Sequence, residues 1–307
     1  MRTALVTGAT GFIGAHLVRR LLRDGVYVVA LVRDGQSPAT HVVHGALEDY
    51  DTVLRAVTKH DVDTVFHLGA QSLVGHAVKY PRGTFETNIR GTYNVLEACR
   101  VAGVERVVVA SSDKAYGSSE TPYDEATRLQ GEAPYDVSKS CADLLAQAYG
   151  KTYAMPVAIA RLCNVYGPGD TNWSRLIPGT IRSVLAGKRP AIRSCGTPVR
   201  EYLYIDDAVD AYLELAEAET HPGQAFNFGG ERSSVLDLVC KISEMTAPII
   251  LPAEVLGTAR NEIMDQTMDD SLARETLGWS RGVTLRDGLR HTIAWHRNGK
   301  TAPGAAR

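Results

Sequence analysis

Long apolar runs are missing from this chain of 307 residues. No stretch approaches the roughly 20 residues that a membrane-spanning helix needs. A surplus of either charge is missing too. Lys and Arg number 33 against 35 Asp and Glu, a formal net charge of −2, and there is no basic run. That balance excludes wholesale electrostatic attraction to nucleic acid or to a membrane surface. The five cysteines (Cys99, Cys141, Cys163, Cys195 and Cys240) are odd in number and widely spaced. None sits in a CxxC or a Cys/His cluster, so reduced thiols in a cytoplasm are expected, and no zinc site. No repeat, low-complexity segment or signal peptide stands out, and Met1 leads straight into a strand pattern. The rest is ordinary globular composition, 44% hydrophobic and 22% charged. The length suits one large domain or two closely joined ones. Only the tail from about Gly299 reads as disordered.

The chain opens with a short apolar strand over residues 2–7. Gly8-Ala9-Thr10-Gly11-Phe12-Ile13-Gly14 follows, then a helical pattern with Leu17, Val18, Leu21 and Leu22, then a buried strand over 26–32. A strand, a glycine turn, a helix and a strand within about 30 residues form a phosphate-binding context. The glycines let the backbone approach a pyrophosphate, and the helix N-terminus supplies N–H groups and a positive dipole end. At the tip of the second strand stand Arg33 and Asp34. Arg33 would suit the 2′-phosphate of NADP, while Asp34 keeps NAD open.

Strands and helices go on alternating. A helix is expected over about 50–60 and a strand at 64–68, ending at Gly69-Ala70-Gln71. A long helix follows over about 84–102, then a strand from Arg106, and another strand at 155–160. Repeated βα units with apolar strands predict a parallel sheet covered on both faces. Beyond Gly169 the pattern loosens. Helices are expected at about 176–186, 207–218 (with an acid at its cap), 234–245, 270–277 and 285–297, with a hairpin region over 193–204. Residues 1–165 would form the dinucleotide domain, with 202–230 returning to it. Residues 166–307, mainly 166–201 and 231–307, would form a smaller lobe.

Ligands sit at the C-terminal ends of parallel strands. The strand from Arg106 ends in Ser111, Ser112, Asp113 and Lys114, and Tyr135 and Lys139 open the following helical pattern. Spacing of four residues puts both side chains on one helix face. Alone, such a pair is only the surface of an amphipathic helix. At this sheet end, a lysine ammonium beside the phenol should lower the tyrosine pKa and let it take a proton from a sugar hydroxyl.

With these motifs in hand, the chain resembles the extended short-chain dehydrogenase/reductases, in their nucleotide-sugar-modifying branch. The resemblance covers residues 1 to about 297. It rests on the glycine turn, His67-Leu68-Gly69-Ala70-Gln71, Thr87-Asn88, Tyr135 to Lys139 and Arg161 to Gly169. Arg200 to Asp207, Asn227 to Gly229 and Leu277-Gly278-Trp279 add to it. It implies a Rossmann-type doubly wound α/β fold with tightly bound NAD(P)+ held by Gly8, Thr10, Gly11, Phe12, Ile13, Gly14, Arg33, Leu68, Gly69, Ala70, Thr87, Tyr135 and Lys139. Its substrate would be a CDP-, GDP-, UDP- or dTDP-hexose held by Gln71, Asn164, Asn172, Arg175, Arg200, Arg260 and Glu262. No metal is implied, and a homodimer through the helices at 84–102 and 133–153 is expected. Ser112-Asp113-Lys114 is similar to the proton-transfer positions of 4,6-dehydratases, the CDP-glucose enzymes above all, while Leu31-Val32-Arg33 is more like the NADP-binding GDP-mannose 4,6-dehydratases. The expected catalytic set is therefore Ser112, Asp113, Lys114, Tyr135 and Lys139. A 4-epimerase shares the cofactor features and the Tyr135/Lys139 pair. A ketone reductase and a non-catalytic dinucleotide sensor are further alternatives.

Overall fold

The computed structural model describes residues 1–259 and 262–299. The strands in chain order are β1 (Thr3–Thr7), β2 (Tyr27–Val32), β3 (His41–His44), β4 (Thr64–His67), β5 (Arg106–Ser112), β6 (Val157–Leu162), β7 (Asn164–Tyr166), β8 (Ala191–Ile192), β9 (Val199–Tyr204), β10 (Gln224–Phe228), β11 (Glu231–Ser234), β12 (Glu254–Val255) and β13 (Asp265–Gln266). The helices are α1 (Phe12–Arg23), α2 (Tyr50–Thr58), α3 (Val74–Lys79), α4 (Pro81–Phe85), α5 (Gly91–Ala102), α6 (Pro134–Tyr153), α7 (Leu176–Leu185), α8 (Ile205–Glu217), α9 (Val235–Thr246), α10 (Ser271–Leu277) and α11 (Leu285–Arg297).

Seven strands form one parallel sheet in the order β10-β6-β5-β4-β1-β2-β3. The order reverses between β1 and β4, which opens a crevice at the strand ends where a dinucleotide binds. Both faces of the sheet are covered, so its strands are continuous apolar runs. Alternate side chains of β1 show why. Ala4 and Val6 point into a core with α1 and α8, and Leu5 points into a second core with α2, α5 and α6.

A small sheet, β11-β9-β13 with β7 beside β9, stands apart from the large one. The expected hairpin over 193–204 is therefore not there. β9 instead pairs antiparallel with β11 and parallel with β7 and β13. Within 202–230, α8 lies against β5 and β6, and β10 joins the main sheet beside β6. The acid expected to cap α8 is replaced by Tyr204, with Asp206 and Asp207 in the first turn. There they meet the positive end of the helix dipole. Ser234 caps α9 by accepting the Asp237 N–H.

The helix expected over 84–102 is broken into α4, a π turn over Glu86–Arg90 and α5. A one-residue widening of this kind re-aims a side chain, and here the residue in the turn is the buried Asn88. The tail beyond Gly299, read from its sequence as disordered, lies outside the described residues.

Candidate active site

A cavity of about 720 Å³ opens at the C-terminal ends of the strands. Gly8, Gly11, Phe12, Ile13 and Gly14 line it from the glycine turn, Leu68 and Ala70 from the end of β4, and Ser111 to Lys114 from the end of β5. Tyr135 and Lys139 enter it from α6. Of the expected substrate contacts, Asn164, Asn172, Arg175, Arg200 and Glu262 line it as well.

The glycine turn is built by close backbone approach. Gly8 has φ +69°, and a Cβ there would stand 2.8 Å from the Gly69 nitrogen. A Cβ on Gly14 would stand 2.1 Å from the Gly8 carbonyl oxygen. Gly11 is the N-cap of α1 and offers no side chain to its first N–H groups. Those donors, with no acid in the first turn, fit a dinucleotide pyrophosphate. Four expected cofactor contacts lie off the cavity wall. Thr10 is exposed and outside the cavity wall, and the Thr87 hydroxyl donates to Glu48 at 2.5 Å. Arg33 stands at the surface, its side chain 77% exposed, with Nε on Asp34 at 3.1 Å. Gly69 lies behind the wall, its N–H given to the Thr7 hydroxyl at 2.9 Å.

β5 runs out into a 3₁₀ turn over Asp113–Tyr116. The Ser112 hydroxyl accepts the Lys114 N–H at 3.3 Å and donates to Asp113 Oδ1 at 2.8 Å. Lys114 Nζ donates to Asp113 Oδ2, also at 2.8 Å. Asp113 is buried, so its two oxygens are satisfied by these donors. The far end of the turn is anchored. The Tyr116 hydroxyl donates to Asn227 at 2.7 Å and accepts from Arg161 at 2.8 Å. Arg161 is fully buried and makes a two-point contact with Asp143 at 2.8 and 2.9 Å. A buried charge is tolerated because the fork is filled on both prongs.

Tyr135 and Lys139 lie one turn apart on α6, which starts at Pro134. The expected lowering of the phenol by Lys139 is not found. Lys139 Nζ donates to the Ala110 carbonyl at 2.8 Å, and burial brings its pKa down to about 8 against an opposing pull from Asp143. Tyr135 is pushed well above its ordinary value by burial and then by the charge of Asp113. Arg175 and the Ser112 hydroxyl act in the opposite sense. Desolvation of the phenolate outweighs these neighbours.

Asn88 was quoted from the sequence without a role. Its side chain accepts the Gln71 N–H at 2.7 Å and donates to the Gln71 carbonyl and to the Ser138 hydroxyl. The Ser138 hydroxyl donates to the Tyr135 carbonyl at 2.6 Å. The π turn thus ties the loop after β4 to the first turn of α6. Gln71 itself is turned back, its side-chain oxygen accepting the Leu73 N–H, while Ala70 and Ser72 line the cavity.

At the lobe, Arg200 Nη2 stands 3.7 Å from Glu262. Asn164 donates to the Glu201 carbonyl at 3.0 Å. Arg175 donates to Asp170 at 3.1 Å. Arg260 lies outside the described residues. Sequence reasoning missed Asp170, Cys163 and Arg193, all of which line the cavity. Asp170 directly follows the Gly167-Pro168-Gly169 turn, which was the available signal. Nothing in the local pattern marks Arg193.

The chain matches the model of the NAD dependent epimerase/dehydratase family over residues 4–229. It is 31% identical over 322 residues to a trifunctional UDP-glucose 4,6-dehydratase/UDP-4-keto-6-deoxy-D-glucose 3,5-epimerase/UDP-4-keto-L-rhamnose-reductase of Arabidopsis thaliana. The match covers 96% of this chain and 47% of that protein, so the chain spans about half the length of such relatives. Among solved structures, the UDP-glucose 4-epimerase of Thermotoga maritima with UDP-glucose superposes with a TM-score of 0.91 at 28% identity, over 97% of this chain and 99% of that one. A dTDP-glucose 4,6-dehydratase of Streptomyces venezuelae with NAD bound superposes at 0.89 with 30% identity, over 97% and 98%.

Proposed function

Because the chain belongs to the NAD-dependent epimerase/dehydratase family, we propose that it is a nucleotide-diphosphate hexose 4,6-dehydratase yielding a 4-keto-6-deoxy sugar. The observation that carries this reading is the buried Asp113 with Lys114 on it at 2.8 Å, at the cavity wall beside Tyr135. A 4-epimerase needs no proton-transfer groups at that place. A nicotinamide dinucleotide held by Gly8, Gly11 to Gly14, Leu68 and Ala70 would supply the hydride chemistry, between the sugar's C4 and C6. Tyr135 takes the proton of the 4-hydroxyl, whose oxygen Ser112 holds. The resulting ketone acidifies the C5 proton, which Asp113 as a carboxylate would take and pass to the departing 6-hydroxyl, so that it leaves as water. C5 would then regain a proton from solvent and Tyr135 release its own to solvent, which leaves the enzyme unchanged and balances as substrate to product plus one water. Lys114, as an ammonium, would stabilise the developing enolate.

Asn164, Arg175 and Arg200 are the proposed contacts for the substrate's diphosphate, arginine being suited to two-point phosphate contacts. Asn172 and Glu262 are proposed contacts for the sugar or nucleoside. NAD is the expected cofactor, and Arg33 is the residue that would meet the 2′-phosphate if NADP is used. A homodimer through α5 and α6 is proposed on their exposed Tyr93, Val101, Leu144 and Tyr153.

A second reading, 4-epimerisation, is favoured by one observation. Asp113 accepts hydrogen bonds from both Ser112 and Lys114, so a proton must first reach it before it serves as an acid. Incubation with CDP-, GDP-, UDP- and dTDP-hexoses, read by mass spectrometry, separates the two. A product lighter by one water supports dehydration, and an isobaric product supports epimerisation. Asp113→Asn and Lys114→Ala should each suppress loss of water. Full elimination activity in both variants would sink the assignment.

A further inference from the structure

The face of α6 that carries Tyr135 and Lys139 continues, four residues on, to Asp143. Asp143 takes the Arg161 fork at 2.8 and 2.9 Å and also accepts from Gln147 at 2.8 Å. The free nitrogen of that fork, Nη1, donates to the Tyr116 hydroxyl at 2.8 Å and to the Glu125 carbonyl at 3.1 Å. Tyr116 is the last residue of the 3₁₀ turn that begins at Asp113. Its hydroxyl donates to Asn227 of β10 at 2.7 Å, whose amide donates to the carbonyls of Tyr123 and Asp269 at 2.9 and 3.1 Å. Asp143, Arg161, Tyr116 and Asn227 are each at most 2% exposed, which shields these bonds from competing water. None of the four lines the cavity, so contact with a ligand does not explain this buried polar chain. A buried ion pair is also a poor source of stability, because apolar side chains of the same volume would serve as well.

We propose that Arg161 and Tyr116 are positioning residues: the chain Asp143–Arg161–Tyr116 sets the Asp113–Lys114 turn relative to Tyr135, so that Asp113 stands at C5 and C6 of the sugar whose 4-hydroxyl Tyr135 deprotonates. The inference deepens the dehydratase reading and rests on it. The bonds among Ser112, Asp113 and Lys114 are local and move with the turn. They give it a shape without fixing where it stands. Two ties fix it to α6. The Ser140 hydroxyl donates to the Ala115 carbonyl at 2.8 Å, in the middle of the turn. The Arg161 chain holds its far end and starts from the helix face that bears Tyr135. With the first tie alone the turn can pivot about Ala115. With both, the group for removing water and the group for oxidation keep one separation.

The test is a single turnover of the NAD-loaded enzyme on the nucleotide hexose that yields the lighter product. Oxidation at C4 is followed by the near-ultraviolet absorbance of reduced nicotinamide, and loss of water by mass. Tyr116→Phe keeps the ring and the Ser140 tie and removes only the hydroxyl. Oxidation should stay within about twofold, while loss of water slows by about tenfold or more, as small misplacements of a reacting group do. Reduced nicotinamide should therefore build up between the two steps. Should Tyr116→Phe not fold, Tyr123→Phe is the milder variant, since it loses only the longer bonds to the Gly117 and Asp265 carbonyls at 3.1 and 3.4 Å. The same build-up, smaller in size, is expected there. Both steps slowed by one factor would make the chain a matter of stability alone and overturn the inference. Both steps unchanged, or oxidation alone slowed, would overturn it as well. An isobaric product from the unaltered enzyme, or full elimination in Asp113→Asn, is a different failure: it would overturn the dehydratase reading itself, and the inference with it.

Discussion

At the scale of single residues, the site is governed by desolvation rather than by the Tyr–Lys pair alone. Lys139 is buried, and its pKa is brought down from the ordinary 10.5 to about 8. Between these values the unfolded chain binds more protons than the folded one, so stability rises with pH across that window. Below pH 8 the whole cost is present, on the order of 3 kcal/mol by the rule of about 1.4 kcal/mol per pKa unit. Lys139→Met should therefore raise the melting temperature near neutral pH. The gain over the unaltered enzyme should shrink between pH 8 and 10.5. Calorimetry across that range checks it, and a gain that does not change with pH would refute it. Tyr135 carries the opposite lesson. Its i,i+4 partner was legible in the sequence, but the charge of Asp113 and the guanidinium of Arg175 reach it only through the fold.

At the scale of elements, the glycine turn and the π turn do different work. The turn before α1 depends on backbone contact, because a Cβ on Gly14 would stand 2.1 Å from the Gly8 oxygen. Gly14→Ala should push α1 off the turn and cost about 1–3 kcal/mol, the usual range for overpacking. NAD binding, followed by fluorescence titration, should weaken by at least about tenfold, since the helix N-terminus no longer meets the pyrophosphate. Binding as tight as that of the unaltered chain would show that the turn yields without moving the helix. The glycine spacing was readable in the sequence as a phosphate turn. The π turn at Glu86–Arg90 was not, because its residues fit an ordinary helix, and only Asn88's partners on Gln71 and Ser138 explain it. The same limit applies to β9. A hairpin was expected over 193–204, whereas its partners β7, β11 and β13 come from distant parts of the chain.

At the scale of the whole molecule, α5 and α6 lie side by side on one face of the sheet. They leave Tyr93, Val101, Leu144 and Tyr153 exposed, Val101 and Tyr153 at 56% each. These exposed apolar side chains on two adjacent helices are the basis of the proposed association surface. The proposed homodimer predicts that light scattering gives twice the chain mass. Val101→Glu combined with Leu144→Glu should give the single-chain mass with helix content unchanged. A dimer that survives the double substitution would place the interface elsewhere.

Much of this protein is determined by local pattern. Apolar strands alternating with amphipathic helices specify a parallel sheet, because each element must bury one stripe or both faces. The glycine turn, the end of β5 and the start of α6 fall at the strand C-termini by chain order alone. Tertiary structure decided what those residues experience. It set Lys139 on a backbone carbonyl, gave Asp113 two donors, turned Gln71 and Thr87 away from the cavity and brought Asp170 and Arg175 to its rim. The physical reason is range. Hydrophobic period and turn chemistry act within a few residues, whereas burial and charge act between segments that meet only when the chain has folded.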